Sequence, residues 1–378
     1  MNKIAFLTTD LLGNRAFSIN SHLLLMFYVL RDILRDMHVY ILSSNINSEP
    51  VFSFSQVREQ HSIPVPSFDM EVMVVDYRSV DEAARILSSC DTVFSEMYIW
   101  APAILEAKKI NPRIKVFYWI HSLLAEEMIC NRHSKWIDYS LFEKMQKDLI
   151  TIADKIVLDS HYDCDLCDRF YNSQAKSSII YPVPFPYLSK CKPHYKEKTI
   201  FYSGRWEYRK GMEYLIRAFF KLYSEDPSVK LTMLSDMNYI ENYESVFYDN
   251  TVTHMFKCLL EKGVINLAPW INKRTEYIDF VKREATVVVL PSLYDPFNII
   301  AYDCAVNSIP MVLSNFCGVT EIINDFSTIE RINPFDSTQI YHSMKKLIES
   351  SCDTEDFDIN KCSYNLNDFQ RDLIKVFK

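Results

Sequence analysis

Two stretches of the chain carry side chains whose types and spacing suit work on an anion and on hydroxyl groups. In the first, Tyr202-Ser203-Gly204-Arg205-Trp206-Glu207-Tyr208-Arg209-Lys210-Gly211, an apolar strand runs into a turn at Gly204, and Gly211 opens a helix. Arg205 and Lys210 then stand as two cations that can neutralise an anion, or as a plain surface pair. In the second, a buried-type strand ends at Leu290, a loop carries Asp295, and a helix opens near Asn298. The unpaired amides of Phe297, Asn298 and Ile299 can hold an anion or sugar hydroxyls. Asp303 follows Asp295 by eight residues, falls on that helix, and can accept bonds from two vicinal hydroxyls of a ribose.

Both stretches resemble the signature of the retaining GT-B glycosyltransferases, the large family of mannosyl-, glucosyl- and N-acetylglucosaminyltransferases that also contains sucrose synthase. Residues 202–219 hold every position of the family's Y-x-G-R-x-x-x-x-K-G-x-x-x-L-I-x-A-F. Residues 291–312 follow its P-S-x-x-E-x-F/G-G, second Glu and A-x-G-x-P-V-V, with Asp295 and Asp303 replacing both glutamates. Asn298 stands for the glycine before the helix, and Val306-Asn307-Ser308 for A-x-G. Residues 314–321 match the closing S-x-x-G-G-x-x-E with one glycine lost.

The resemblance implies an α/β protein of the GT-B type, two doubly wound Rossmann-like domains facing each other across a cleft. It implies transfer of a sugar from a nucleoside diphosphate sugar to a glycan, lipid-linked or protein acceptor, with retention of configuration, as in polysaccharide biosynthesis. No metal and no cofactor beyond the donor are implied. Arg205 and Lys210 fall to the diphosphate, Asp303 to the ribose, Asp295 with the three amides to the donor sugar, and Trp270 to the base. His121, at the end of an apolar strand, would assist at the sugar through its carbonyl or side chain. Gly13 and Asn14 are candidates for the donor loop after the first strand, or for a plain turn there. Shortening each Glu to Asp leaves the donor sugar open.

These residues need parallel strands to present them. Short apolar runs at Ile4–Thr8, His38–Leu42, Glu71–Val75, Asp91–Ser95, Lys115–Ile120, Lys155–Leu158 and Ser178–Ile180 alternate with helical stretches, the pattern of a doubly wound sheet. A proline-rich connection, Tyr181-Pro182-Val183-Pro184-Phe185-Pro186, follows, and the alternation restarts at Thr199. The expected division is a domain over 1–183, a linker over 184–198, a nucleotide-sugar domain over 199–362 and a helix over 363–378 crossing back to the first domain. Residues 237–262 read as a polar and aromatic insertion.

Composition sets the outer limits. The 378 residues carry a net charge of −8, which argues against bulk nucleic acid as partner. The ten cysteines follow no secretory leader and read as reduced, cytoplasmic thiols, with Cys164 and Cys167 a helical pair. No apolar run approaches membrane length, so any membrane contact is expected to be peripheral. Glycine is scarce, 5 in all, where average usage predicts about 26. Two rivals remain in view: a non-catalytic nucleotide-sugar-binding homologue that scaffolds a partner, and a nucleotide-sugar 2-epimerase.

Overall fold

The computed structural model describes residues 2–9, 17–44, 70–131, 136–191, 198–235, 246–271, 273–324, 327–350 and 362–377. Gly13 and Asn14 lie outside them. Two compact units emerge: Met1–Ala125 with His133–Phe185 and Asn365–Lys378, and Pro186–Tyr364 with Glu126–Arg132.

The first unit is built on seven parallel strands, β1 (Asn2–Thr9), β2 (Met37–Ser44), β3 (Met70–Val74), β4 (Thr92–Ser95), β5 (Lys115–Ile120), β6 (Lys155–Leu158) and β7 (Ser177–Ile179). Their order is β3-β2-β1-β4-β5-β6-β7, so the chain reverses direction across the sheet between β1 and β4. Helices α1 (Phe17–Leu34), α2 (Val80–Ser88), α3 (Ala101–Ile110), α4 (Leu124–Asn131), α5 (Trp136–Ile152) and α6 (His161–Tyr171) provide the crossovers. All seven expected strands are present within a residue or two. The sheet reads as nearly continuous apolar runs because helices cover both faces, and Ile4, Phe6, Val93, Val116, Trp119, Ile156 and Leu158 are fully buried. Cys164 and Cys167 share α6 as expected, and the nine described cysteines are all free.

The second unit has six parallel strands, β8 (Thr199–Ser203), β9 (Lys230–Ser235), β10 (Ile265–Pro269), β11 (Val287–Leu290), β12 (Met311–Ser314) and β13 (Ile329–Ile332), in the order β10-β9-β8-β11-β12-β13. Its helices are α7 (Met212–Glu225), α8 (Asn250–Glu261), α9 (Arg274–Glu284), α10 (Ile299–Val306) and α11 (Ser337–Glu349). Helix α8 occupies the second half of the stretch 237–262 read as a polar and aromatic insertion. Val252, Phe256 and Leu259 form its buried stripe, and the Asp249 carboxylate caps it by accepting from the Thr251 amide. The last strand and α11 went unread. A final helix, α12 (Leu366–Phe377), belongs to the first unit and buries Phe369, Leu373 and Val376 there.

Two positions where the family pattern has glycine adopt positive φ here without it, Asn298 at 74° and Ser308 at 54°. The backbone requirement has survived the loss of the residue that meets it most easily. Asparagine tolerates the left-handed region better than most residues, and Asn298 also caps α10, its Oδ1 accepting from the Ala301 amide at 3.1 Å.

Candidate functional site

In the second unit the chain changes direction between β8 and β11, and ligands of doubly wound sheets bind beyond the strand ends at such a point. The loop after β8 carries Arg205 to Lys210, and the loop after β11 carries Pro291 to Asn298. Their backbones meet: the Leu293 amide donates to the Arg209 carbonyl at 2.7 Å. Gly211 has φ 74°, and a Cβ there would lie 1.9 Å from the Pro291 carbonyl oxygen. Only glycine permits this approach. A third loop closes on the second, because the Gly318 amide donates to the Asp295 carbonyl at 3.0 Å and the Val319 amide to that of Phe297 at 2.8 Å.

These contacts place Lys210 against Asp295. Lys210 Nζ, Asn298 Nδ2 and Ser292 Oγ converge on one carboxylate oxygen, Oδ2, at 2.7, 2.9 and 3.3 Å. Burial alone raises the Asp295 pKa, but the charges of Lys210 and Arg209 outweigh it and hold the carboxyl below its ordinary range. Lys210 is pushed down by burial, partly offset by Asp295. The amides of Phe297, Asn298 and Ile299 head α10 beside this pair, as its sequence position requires.

Arg205, expected as the second fixed cation, has a side chain 64% exposed and pairs with Glu207 Oε1 at 2.9 Å. The buried guanidinium is Arg209, whose side chain is 2% exposed. Arg209 pairs with Glu127 Oε1 at 2.9 Å and Glu207 Oε2 at 2.7 Å, and donates to the Tyr294 carbonyl at 3.2 Å. Its own amide donates to Asn131 Oδ1 at 2.8 Å. Glu127 and Asn131 stand on the part of α4 that groups with the second unit. Arg205, Arg209 and Lys210 are thus matched by Glu127, Glu207 and Asp295, three charges of each sign.

Burial raises the Glu207 pKa, but Arg205 and Arg209 reverse the sign and bring it to about 2 from 4.5. A carboxyl depressed on folding stabilises above its unfolded pKa and loses that contribution as pH falls through its folded one. The second unit is therefore expected to lose about 3 kcal/mol from this group between pH 4.5 and 2. Unfolding of Glu207→Gln in urea across that range checks it: the variant should show a flatter acid limb than the parent.

Asp303 lies on α10 as expected but is buried, and both its oxygens already accept from the Arg274 guanidinium of α9, one at 2.9 Å through Nε and the other through Nη2. Burial pushes its pKa up, with Arg274 opposing. Trp270 follows β10, donates its amide to the Ser235 carbonyl at 3.1 Å, and stacks on Tyr277 at 5.7 Å between centroids. Sequence reasoning missed Arg209, Glu207, Glu127 and Arg274. Arg209 falls on an unspecified position of the motif, and its partner Glu127 is distant in the chain, so no spacing announces the pair.

The first unit gathers a separate polar cluster at the ends of β4, β5 and β6, where Glu96, His121 and Asp159 follow in turn. His121 Nδ1 lies 3.2 Å from Asp159 Oδ2, and Trp119 Nε1 donates to Asp159 Oδ1 at 2.6 Å. His22 of α1 joins through Nδ1, 2.7 Å from Glu96 Oε1. Asp163-Cys164-Asp165 lies on α6, just after β6. No helix among the described residues is long and apolar enough to cross a membrane.

Residues 189–362 match the model of glycosyl transferases group 1. A glycosyltransferase of Methanocaldococcus jannaschii, itself uncharacterised, is 34% identical over 127 residues. That match covers 34% of this chain and spans 30% of the relative's length. Sucrose-phosphate synthase from Thermosynechococcus elongatus superposes with a TM-score of 0.67 at 13% identity, covering 100% of this chain and 95% of that one. The Anabaena protein HepE, solved with UDP and glucose, gives 0.67 at 15% identity, covering 100% and 97%. Two parallel-sheet α/β units in this arrangement of strands are the GT-B glycosyltransferase fold, and the unit holding Lys210, Asp295 and Asp303 is the part that the glycosyl transferases group 1 family matches.

Proposed function

We propose that the protein transfers a sugar from a nucleoside diphosphate sugar to a glycan, lipid-linked or protein acceptor, retaining configuration and needing no metal at the diphosphate. The observation that carries this reading is the convergence of Lys210, Asn298 and Ser292 on Asp295 at the direction change of the second sheet. Lys210 and Arg205 meet the diphosphate, and the exposure of Arg205 lets it turn from Glu207 toward a phosphate. Asp295 Oδ1, which takes none of those three bonds, accepts a donor sugar hydroxyl, with the amides of Phe297, Asn298 and Ile299 beside it. Asp303 exchanges Arg274 for the ribose hydroxyls, and Trp270 borders the base. His121 assists at the donor sugar through its carbonyl or side chain. In the transfer step the bond from anomeric carbon to phosphate oxygen breaks on the face where the acceptor oxygen attacks, and the departing phosphate oxygen takes the acceptor's proton.

One observation favours a second reading, a nucleotide-sugar-binding scaffold without turnover: Asp303 is already occupied by Arg274, and the charge cluster is balanced without a ligand. A panel of uridine, guanosine and thymidine diphosphate sugars separates the two. Because HepE was solved with UDP and glucose, uridine diphosphate sugars head the panel. Transfer or slow hydrolysis supports the transferase, and a raised melting temperature with no turnover supports the scaffold. If no member of the panel raises the melting temperature, both readings fail.

A further inference from the structure

We propose that the first unit binds a divalent transition-metal ion of the Zn2+ class between His22, Glu96 and His121, with Asp159 supporting His121 from behind. The inference goes beyond the transferase reading and does not depend on it; the side chain of His121 is engaged, and its main-chain carbonyl stays available to a sugar.

Geometry is the first ground. The three side chains each offer a ligand atom, and these atoms all lie within 4.8 Å of one another. His22 Nδ1 is 2.7 Å and His121 Nε2 is 3.5 Å from the same oxygen, Glu96 Oε1. An ion about 2.0–2.2 Å from each ligand needs donor atoms roughly 3–4 Å apart, so the longest separation must shorten by about 1 Å and the 2.7 Å one must open by a few tenths of an ångström. Contraction of that size is within reach of one histidine rotamer.

Unmet valence is the second ground. Glu96 Oε2 and His121 Nε2 are both buried without a close hydrogen-bond partner, His121 Nε2 reaching Glu96 Oε1 only at 3.5 Å. Buried polar atoms are nearly always paired, and two such atoms in one cluster call for a missing partner. A protein group does not supply it among the described residues. Water alone would satisfy hydrogen bonds but leave the charge unanswered.

Charge is the third ground. Glu96 and Asp159 are both 4% exposed, and among the described residues their ion-pair partners are the two histidines alone, with no lysine or arginine. With neutral imidazoles the cluster holds two negative charges in a buried site, which one divalent cation cancels.

The surroundings suit an ion. Asp159 at His121 Nδ1 fixes the tautomer that turns the Nε2 lone pair inward, the arrangement by which carboxylates orient metal-bound histidines, and Trp119 holds that carboxylate in turn. Trp119 and Phe369 flank His22 at 4.3 and 5.9 Å between centroids and give the site a dry wall. Two imidazoles and one carboxylate are borderline donors that favour Zn2+ or Co2+ over Mg2+ or Ca2+.

The test strips the full-length protein with chelator, titrates it with Zn2+ and Co2+, and counts bound metal by mass spectrometry. One equivalent per chain is expected, with visible Co2+ absorption of a nitrogen- and oxygen-ligated ion and a melting temperature several degrees higher at saturation. Glu96→Gln should weaken binding more than tenfold, and Asp159→Asn by roughly 10- to 100-fold. Cys258→Ser, which removes an exposed His254–Cys258 pair 3.6 Å apart, should leave it unchanged. Less than about 0.2 equivalent bound by the wild-type chain, or equal affinity in folded Glu96→Gln, overturns the proposal. If Glu96→Gln does not fold, the wild-type Co2+ spectrum decides: absence of histidine-ligated bands sinks it. Metal content is read without any sugar nucleotide, so failure here and failure of the transferase reading are told apart.

Discussion

Gly211→Ala is expected to destabilise the second unit by about 3–5 kcal/mol, the sum of a left-handed backbone penalty and a steric conflict that side-chain motion cannot relieve. The added Cβ would stand 1.9 Å from the carbonyl oxygen of Pro291 and 2.8 Å from its carbon, so the loop after β8 and the loop after β11 must separate. That separation stretches the bond from the Leu293 amide to the Arg209 carbonyl and draws Lys210 away from Asp295. The substitution thus reaches the site through the backbone without touching a charged group. Gly204→Ala is the control. Its Cβ meets only the hydroxyl end of Tyr202, at 3.0 Å, and its φ is not positive. Urea unfolding followed through the second unit's own transition should show a cost below about 1 kcal/mol for the control. Equal costs for the two alanines would mean that the close approach at Pro291 does not hold the loops together.

What could be read from the sequence follows from which signals are local. The parallel strands were legible because a strand covered on both faces is an uninterrupted apolar run, as at Val287–Leu290, where all four residues are buried. The two motif stretches were legible because the loops after β8 and β11 are themselves continuous in sequence. Helix α8 was read only as part of a polar and aromatic insertion, apart from its end before Gly263, although Val252, Phe256 and Leu259 have helical spacing, because polar and aromatic residues around it masked the stripe. The ion-pair network was not legible for a different reason. Arg209 draws on Glu127 from α4, and Asp303 on Arg274 from α9, pairs that form only when the folded second unit brings distant parts of the chain together. Arg205 and Arg209 have the same residue type four positions apart, and only burial tells the exposed cation from the structural one. The absent glycines make the same point in reverse: Asn298 and Ser308 adopt positive φ with side chains that favour it less, which residue type alone does not announce.

Lys210→Met is expected to lower the rate of sugar transfer by about 10^3-fold at saturating donor, the loss typical of removing one preorganised charge or donor from a developing anion. Methionine keeps the length of the side chain and most of its packing, so the change isolates the charge. Lys210 is suited to this role because its ammonium is held within 2.7 Å of Asp295 in a site only 15% exposed at the lysine, where Coulomb interactions are weakly screened. As the bond to the sugar breaks, charge gathers on the phosphate oxygens, and a cation already fixed beside them stabilises the transition state more than the ground state. The loss should therefore fall on kcat more than on donor affinity. Arg205→Ala, removing a largely exposed guanidinium that must leave Glu207 to act, is expected to cost nearer tenfold and to appear mainly as weaker donor binding. Lys210→Met also leaves the Asp295 carboxylate with only Asn298 and Ser292 as donors, so the variant should lose about 3 kcal/mol of stability, as expected when one partner of a buried pair is deleted. Stopped assays at saturating donor, calorimetric titration with the nucleoside diphosphate and urea unfolding of both variants separate the three effects. A Lys210→Met enzyme that folds and transfers sugar within threefold of the parent would place the neutralising charge elsewhere and remove Lys210 from the mechanism.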